Sequence, residues 1–160
     1  MTPPGTPRVG LGFDVHPFSD DPDRPLVIGG VRLEGRGLAG HSDADVVAHA
    51  VADALLGAAG LDDIGTLFPA SEPSLAGIDS IELLARVMLR VASVASVGNV
   101  DVKVVLEAPR LAPHRHEMEH RLSEVVGGPV TVTPKRAEGL GALGRGEGVA
   151  CWAVALVVPR

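Results

Sequence analysis

Asp14 and His16 stand two residues apart at the end of a strand-like run, Arg8 to Asp14. Residues i and i+2 of a strand share a face, so a carboxylate and an imidazole there can grip one metal ion. Alone, Asp-x-His reads better as a strand-end turn leading into Pro17. A helix opening at Ser42 changes the balance. Its apolar stripe is Val47, Val51, Ala54 and Ala58, while Asp45, His49 and Asp53 recur at i, i+4 and i+8 on the other side. Ala48, Ala52 and Leu56 accompany that polar stripe where surface helices of this chain carry Arg, Lys and Glu, so the stripe is expected to be partly buried. Buried Asp and His need a partner, a metal or each other. His16, His49 and Asp14 would offer two nitrogens and one oxygen and leave a fourth tetrahedral position open, the pattern of a working zinc. Asp45 and Asp53 would then orient the ligands or pair on the helix surface. The plainer alternative is a helix capped by Ser42 with its acids in water. His41-Ser42 lies at the mouth of the same helix, where free N–H groups favour an anion such as phosphate, beside or instead of capping. Lys135-Arg136 after a strand and Arg145 in a Gly-rich loop are local cations that suit the same kind of ligand, or form a solvated basic patch.

Three other motifs suggest chemistry that the surrounding pattern does not support. His116-Glu117-Met118-Glu119-His120 matches the zinc-protease pattern H-E-x-x-H. Met118, Leu122 and Val125 form the core stripe of that helix, and both histidines fall about 160° away from it, on the solvated side. Gly139-x-Gly141-x-x-Gly144 matches a dinucleotide fingerprint, but an apolar strand rather than a helix follows it, so a turn-rich loop is expected. Cys151 falls inside the apolar run Ala150–Val158 and reads as a core residue rather than a nucleophile.

The elements that must position these groups are short and punctuated by Gly and Pro. Leu26–Ile28 and Val31–Leu33 flank Gly29-Gly30, a two-residue hairpin signal. The helix from Ser42 runs to about Ala59, with Asp45 completing a capping box and Gly60 ending it. A second helix covers about Ser80 to Val94, with Leu83, Leu84, Val87, Met88 and Val91 in the core, and a third covers about Pro113 to Val126, stopping at Gly127-Gly128. Further strands are expected at Asn99–Leu106, Val130–Thr133 and Val149–Val158, the last reading as a buried strand. Interleaved helices and strands with a hairpin predict an α+β fold: a single domain with a mixed β-sheet covered by helices. Residues 1–7 read as a loose Pro/Gly tail before a domain at 8–160.

Composition narrows the function classes. The 160 residues suit one domain with its own core, and 46% are hydrophobic, too many for disorder. Fourteen Lys and Arg against 20 Asp and Glu give a net charge of -6, which argues against nucleic acid or an anionic membrane as partner. A single Trp and no Tyr leave no aromatic platform for stacking bases. One Cys excludes an intrachain disulfide framework, and a cytoplasmic setting is expected; no signal peptide or membrane-spanning run is read.

Five runs then belong together: GFDVHPF at 12–18, GHSDADVVAHAVADALLGAAGLDDIGTLFP at 40–69, IDSIELL at 78–84, GNVDVKVVLEAPRLAPH at 98–114 and GLGALGRGEGVACWAVAL at 139–156. In this order they resemble the 2-C-methyl-D-erythritol 2,4-cyclodiphosphate synthase family of non-mevalonate isoprenoid synthesis, over nearly the whole chain from Arg8. The resemblance implies a homotrimer with active sites between subunits. It implies a phosphorus-oxygen lyase that closes 4-diphosphocytidyl-2-C-methyl-D-erythritol 2-phosphate to the cyclic diphosphate and releases CMP. It also implies one Zn2+ per subunit, with Mg2+ or Mn2+ on the substrate diphosphate.

Carried over by position, Asp14, His16 and His49 match the zinc ligands, with Val15 between the first two. His41 and Ser42 match residues on the substrate phosphate and erythritol, with His41 implied as catalytic. Asp63, Ile64 and Gly65, and the segment from Phe68 to Glu72, match the erythritol subsite. Leu106 to Ala112, including Ala108, Pro109, Arg110 and Leu111, match the cytidine pocket. Glu138 matches the ligand of the second metal, and Arg145 an arginine near phosphate and the trimer axis. The family usually carries three threonines where Lys135, Arg136 and Ala137 stand, and Arg136 takes the place of the one that stabilises the transition state. A guanidinium or a backbone N–H can do the same electrostatic work there. Ala70 and Glu72 replace two aspartates of the family, and Ala142 replaces an aromatic of the axial cavity. Two other readings keep some of these features: a zinc-dependent phosphoester hydrolase, and a non-catalytic trimeric nucleotide- or isoprenoid-binding scaffold.

Overall fold

A computed structural model describes residues 5–160. Of the expected tail, residues 1–4 lie outside the described residues, and the first strand starts at Arg8. In chain order the elements are β1 (Arg8–Pro17), β2 (Leu26–Ile28), β3 (Val31–Leu33), α1 (Val46–Ala59), α2 (Ile64–Leu67), α3 (Ser80–Ala92), β4 (Ala95–Val105), α4 (Arg115–Val126), β5 (Val130–Lys135), α5 (Gly141–Gly144) and β6 (Gly148–Pro159). Strands β1, β6, β4 and β5 form one sheet in that order. Only the β4–β5 pairing is parallel, so the sheet is mixed and the fold is α+β, as expected. The β2–β3 hairpin stands apart; its turn residues, Gly29 and Gly30, have φ of 60° and 74°, the left-handed pair that a two-residue turn requires.

Helices α1, α3 and α4 cover one face of the sheet. Val100, Val102 and Val104 of β4 and Cys151, Ala153, Ala155 and Val157 of β6 alternate into that core. Cys151 is fully buried, and burial pushes its thiol well above the usual range, so it is packing rather than a nucleophile. Among the described residues, nothing covers the opposite face. Val9, Leu11, Phe13 and Val15 of β1 and Trp152, Val154 and Val158 of β6 are exposed there, and the Phe13 and Trp152 rings lie 5.1 Å apart. Strand β6 is therefore buried on one face only, which corrects the reading of its apolar run as wholly interior.

Helix α1 is the central element. It starts at Val46, not Ser42, because Asp45 is its N-cap and Ala44 turns the chain at φ 58°. Its C-terminus is closed by left-handed Gly60, as read from the sequence. Nearly every α1 residue is buried, with only Gly57 exposed. Its Ala50, Ala54 and Ala58 lie directly on Gly10 and Gly12 of β1. A Cβ on Gly12 would sit 1.9 Å from the Ala50 carbonyl oxygen, and one on Gly10 2.0 Å from that of Ala54. The glycines let strand and helix approach backbone to backbone, and they share a face with Asp14 and His16.

Other boundaries shift modestly. Helix α3 stops at Ala92, and Met88 is only half buried. Strand β4 begins at Ala95 because a bulge between Val97 and Asn99 carries the pairing through Gly98. A 3-10 turn at Ala112–His114 precedes α4, whose buried residues are Met118, Leu122 and Val126, with Val125 at the margin. His116 and His120 are exposed and pair with Glu119 and Glu124, so the H-E-x-x-H run is a surface feature. The Gly139–Gly144 loop forms one four-residue helical turn before β6.

Candidate metal and phosphate site

The approach of β1 to α1 carries three donor atoms to one point. Asp14 Oδ2 lies 2.9 Å from His16 Nε2 and 3.0 Å from His49 Nδ1, and the two imidazole nitrogens are 3.4 Å apart. Among the described residues this is the one cluster of three His, Cys, Asp or Glu groups able to hold a metal ion. Burial works to raise the Asp14 carboxyl, but hydrogen bonds and charge from His16 and His49 outweigh it and hold the group below its ordinary value. Burial likewise opposes the charged form of His16, yet Asp14 and the Ala39 carbonyl raise its pKa above the ordinary imidazole value.

The far side of each ring is already engaged. His16 Nδ1 donates to the Ala39 carbonyl at 2.8 Å. His49 Nε2 lies 2.9 Å from Ser80 Oγ and 3.1 Å from Ser42 Oγ. Without a metal, His16 Nε2 and His49 Nδ1 can donate to Asp14 Oδ2; with a proton only on each outer nitrogen, both present lone pairs to the same point. Two nitrogens and one carboxylate oxygen, each ring oriented from behind, suit Zn2+. The donor set thus fits the group that the sequence pattern implies.

The expected partners of these ligands divide differently. Asp45 neither orients a ligand nor lies on the surface. It is fully buried and accepts the N–H groups of Gly29 (2.8 Å), Gly30 (2.6 Å), Val47 and Ala48 (both 3.1 Å), tying the hairpin turn to the start of α1. Burial pushes its carboxyl up to about 6 despite those donors. Asp45 thus takes the Val47 and Ala48 N–H groups that the helix end was expected to offer a phosphate. Ser42 does not cap the helix; its Oγ accepts from Ala44 N instead. Asp53 accepts Ile64 N at 2.9 Å and fastens α2 to α1.

A pocket of about 260 Å³ opens beside the triad, lined by His16, His41, Ser42, His49, Ile64, Gly65, Phe68, Ala70 and further apolar residues. This gathers much of the expected erythritol subsite. Asp63 does not line it and caps α2 through Thr66, while Glu72 meets His41 through its backbone, His41 Nε2 donating to the Glu72 carbonyl at 3.2 Å. A second pocket of about 170 Å³ is lined by Leu106, Pro109, Arg110, Leu111, Ala112, Lys135 and Arg136, the expected cytidine subsite, with Ala108 on its outer side facing a third pocket. It shares no lining residue with the triad pocket. Ala137 donates its N–H to Glu107 Oε1 at 2.7 Å. Glu138 lies on the following turn at φ 54°, away from the three-residue cluster, Ala142 is exposed on α5, and Arg145 pairs with Glu147.

Sequence reasoning missed four groups that shape this site: Arg24, Asp43, Ser80 and the Ala39 carbonyl. Arg24 donates to the carbonyls of Leu38, Gly40 (3.0 Å) and Ser42 (2.5 Å), which clamps the loop bearing His41. The only signals for them were an Arg in an Asp/Pro-rich loop and a second acid in the His-Ser-Asp-Ala-Asp run.

Comparison with known proteins agrees over nearly the full length. The model of the YgbB family matches residues 7–158. The chain is 49% identical over 156 residues to a 2-C-methyl-D-erythritol 2,4-cyclodiphosphate synthase of Escherichia coli, covering 94% of this chain and 97% of that one. It is 48% identical over 154 residues to a bifunctional enzyme IspD/IspF of Anaeromyxobacter, covering 94% of this chain but only 39% of that larger protein. Among solved structures, a CDP complex of IspF from Plasmodium falciparum superposes with a TM-score of 0.84 at 30% identity, covering 98% of both chains.

Proposed function

The chain belongs to the YgbB family, and from that we propose that it converts 4-diphosphocytidyl-2-C-methyl-D-erythritol 2-phosphate into 2-C-methyl-D-erythritol 2,4-cyclodiphosphate and CMP, as a phosphorus-oxygen lyase. One observation carries the reading: the convergence of Asp14 Oδ2, His16 Nε2 and His49 Nδ1 beside a pocket lined by His41 and Ser42. The hydrolase and scaffold readings have no comparable support, since the full-length relatives are synthases of this kind.

In the reaction an oxygen of the 2-phosphate attacks the β-phosphorus. The bond from that phosphorus to the bridging oxygen breaks, and CMP leaves with the electron pair. Two anionic phosphates must meet, so the chain's task is to position them and offset their charge. Asp14, His16 and His49 would hold Zn2+, and Glu138 would meet the Mg2+ or Mn2+ that accompanies the substrate diphosphate. A divalent ion supplies charge neutralisation and fixes phosphate orientation when bound.

His41, held by its Nε2 bond to the Glu72 carbonyl, donates from Nδ1 to a phosphate oxygen at the mouth of the pocket when both ring nitrogens carry a proton. Ser42, Ile64, Gly65 and Phe68 surround the erythritol portion, with Asp63 and Glu72 at its rim. Leu106 to Ala112 hold the base, and Lys135 and Arg136 bring fixed positive charge towards the diphosphate, with Arg136 acting on the charge that develops there. The cation at Arg145 adds to the anion-facing surface, and the Ala137 N–H joins it only when released from Glu107.

Two features support a homotrimer with sites between subunits. The triad pocket and the cytidine pocket share no residue within one chain. The sheet face bearing Leu11, Phe13 and Trp152 is apolar and uncovered. The test is CMP release with phosphorus NMR of the product, in zinc plus magnesium and again with chelator. Chelator-sensitive CMP with a cyclic diphosphate signal is expected, and His49→Ala is expected to abolish both zinc binding and turnover. A linear phosphate product would overturn the synthase reading, and full turnover in His49→Ala would overturn the ligand assignment.

A further inference from the structure

Ser80 lies at the start of α3, far from the triad in sequence, yet its side chain is fully buried against His49. Its Oγ is 2.9 Å from His49 Nε2 and makes a very short contact with Asp43 Oδ1, while Ser80 N donates to Asp43 Oδ2 at 3.1 Å. Asp43 is fixed in turn: its Oδ1 accepts Asp45 N at 3.1 Å, and its own N–H donates to the Ile78 carbonyl.

The direction of this chain follows from donor counting. A carboxylate only accepts, so the Ser80 hydroxyl proton goes to Asp43. Ser80 Oγ then has only lone pairs to offer His49, which must carry its proton on Nε2. Ser42 cannot enforce this, because its hydroxyl has no carboxylate partner and can turn either way. With Nε2 protonated, Nδ1 of the neutral ring is left as a lone pair for a cation; without one, the Asp14 carboxylate at 3.0 Å is the group that competes for a proton there. We propose that Asp43 and Ser80 are positioning residues that lock His49 in its Nε2–H tautomer and so present Nδ1 as a metal ligand. The proposal rests on the triad being the metal site.

Outer-shell partners of metal-bound imidazoles typically change metal affinity about 10- to 100-fold. Ser80→Ala removes the acceptor and is expected to weaken zinc binding in that range, read by calorimetry on the full chain. Asp43→Ala acts through direction. Without a carboxylate to accept it, the Ser80 hydroxyl proton is free to turn to His49 Nε2, which moves the imidazole proton to Nδ1 and blocks the ligand position. Nitrogen-15 NMR of the imidazoles is recorded without metal at mildly alkaline pH in an Asp14→Ala background, which removes the carboxylate that competes for a proton at Nδ1. It should show His49 protonated at Nε2 there and shifted towards Nδ1–H when Asp43→Ala is added. A packing role alone would not move that signature.

An Nδ1–H tautomer in folded Asp14→Ala overturns the proposal even if neither Ser80→Ala nor Asp43→Ala folds. Unchanged zinc affinity in a folded Ser80→Ala also overturns it, whereas failure of the parent chain to bind zinc would overturn the metal site itself.

Discussion

Gly12→Ala is the most direct probe of how the site is assembled. On an unencumbered strand this change would stabilise by roughly 0.5–1 kcal/mol, because glycine loses more freedom on folding. Here the sign should reverse. The new Cβ would lie 1.9 Å from the Ala50 carbonyl oxygen and 2.7 Å from Ala54 N, both backbone atoms of a helix buried on nearly all sides. Neither can rotate away, so β1 and α1 must separate by about 1.5 Å to restore ordinary contact, an overpacking cost of about 1–3 kcal/mol. The same separation pulls Asp14 and His16 on β1 away from His49 on α1. A misplacement of this size costs on the order of 100-fold in turnover. Urea unfolding, zinc calorimetry and CMP release on one preparation would measure all three effects. A Gly12→Ala chain as stable as the parent, with unchanged zinc affinity, would refute the claim that glycine-permitted contact sets the ligand geometry.

Gly57 offers the opposite case on the same helix: a Cβ there meets nothing within 4 Å. Gly57→Ala should therefore stabilise the chain by roughly 0.5–1 kcal/mol in thermal or urea denaturation. Asp45 predicts a pH dependence. Its folded pKa of about 6 lies above the ordinary 3.8, so between those values the folded chain binds more protons than the unfolded one. Its contribution to stability is thus fully present below pH 3.8, falls as pH rises towards 6, and is flat above. Carboxyls held low, such as Asp14 and Asp101, act with the opposite sign and at lower pH. Asp45→Asn should remove the decline between about pH 4 and 6 in urea titrations run across that window, and an unchanged slope would count against it.

How much of this was legible depended on the range of the interaction. The Gly29-Gly30 hairpin, the Gly60 and Gly127 helix ends and the solvated H-E-x-x-H run all rest on local geometry, and local spacing showed them. The triad was legible because two short patterns, Asp14-x-His16 and the His49 stripe, each made little sense without a partner. The start of α1 was not. Ser42 and Asp45 are both good caps, and nothing local shows that Ala44 turns at φ 58° and hands the cap to Asp45. Asp45 also serves the β2–β3 turn some 15 residues away, a demand invisible in its own helix. Ser80 looked like an ordinary helix start, since its bond to His49 spans 31 residues. Gly10 and Gly12 carried the strongest unread signal: two glycines alternating within a strand, on the face that continues to Asp14 and His16.

The burial of α1 explains why these distant groups are where they are. A half-exposed helix could carry a histidine whose second nitrogen is satisfied by water. In α1, His49 sits among Ala48, Ala50, Ala52 and other wholly buried residues, so each ring nitrogen needs a protein partner or a ligand. Among the described residues no buried side-chain nitrogen or oxygen lacks a hydrogen-bond partner, so the requirement is met throughout. On the Nε2 side it is met by Ser80, Ser42 and Asp43. On the Nδ1 side it is met only by two groups, Asp14 and His16, that compete for the same point. Three ligand atoms crowded within 3.4 Å of one another are a poor substitute for a hydrogen-bond network, because two imidazole lone pairs and a carboxylate repel unless a proton or a metal cation lies between them. The close contact that Gly10 and Gly12 permit is what prevents the groups from moving apart. Rigid backbone packing is thereby converted into a standing demand for positive charge at the mouth of a pocket, which is the condition that a reaction joining two phosphates requires.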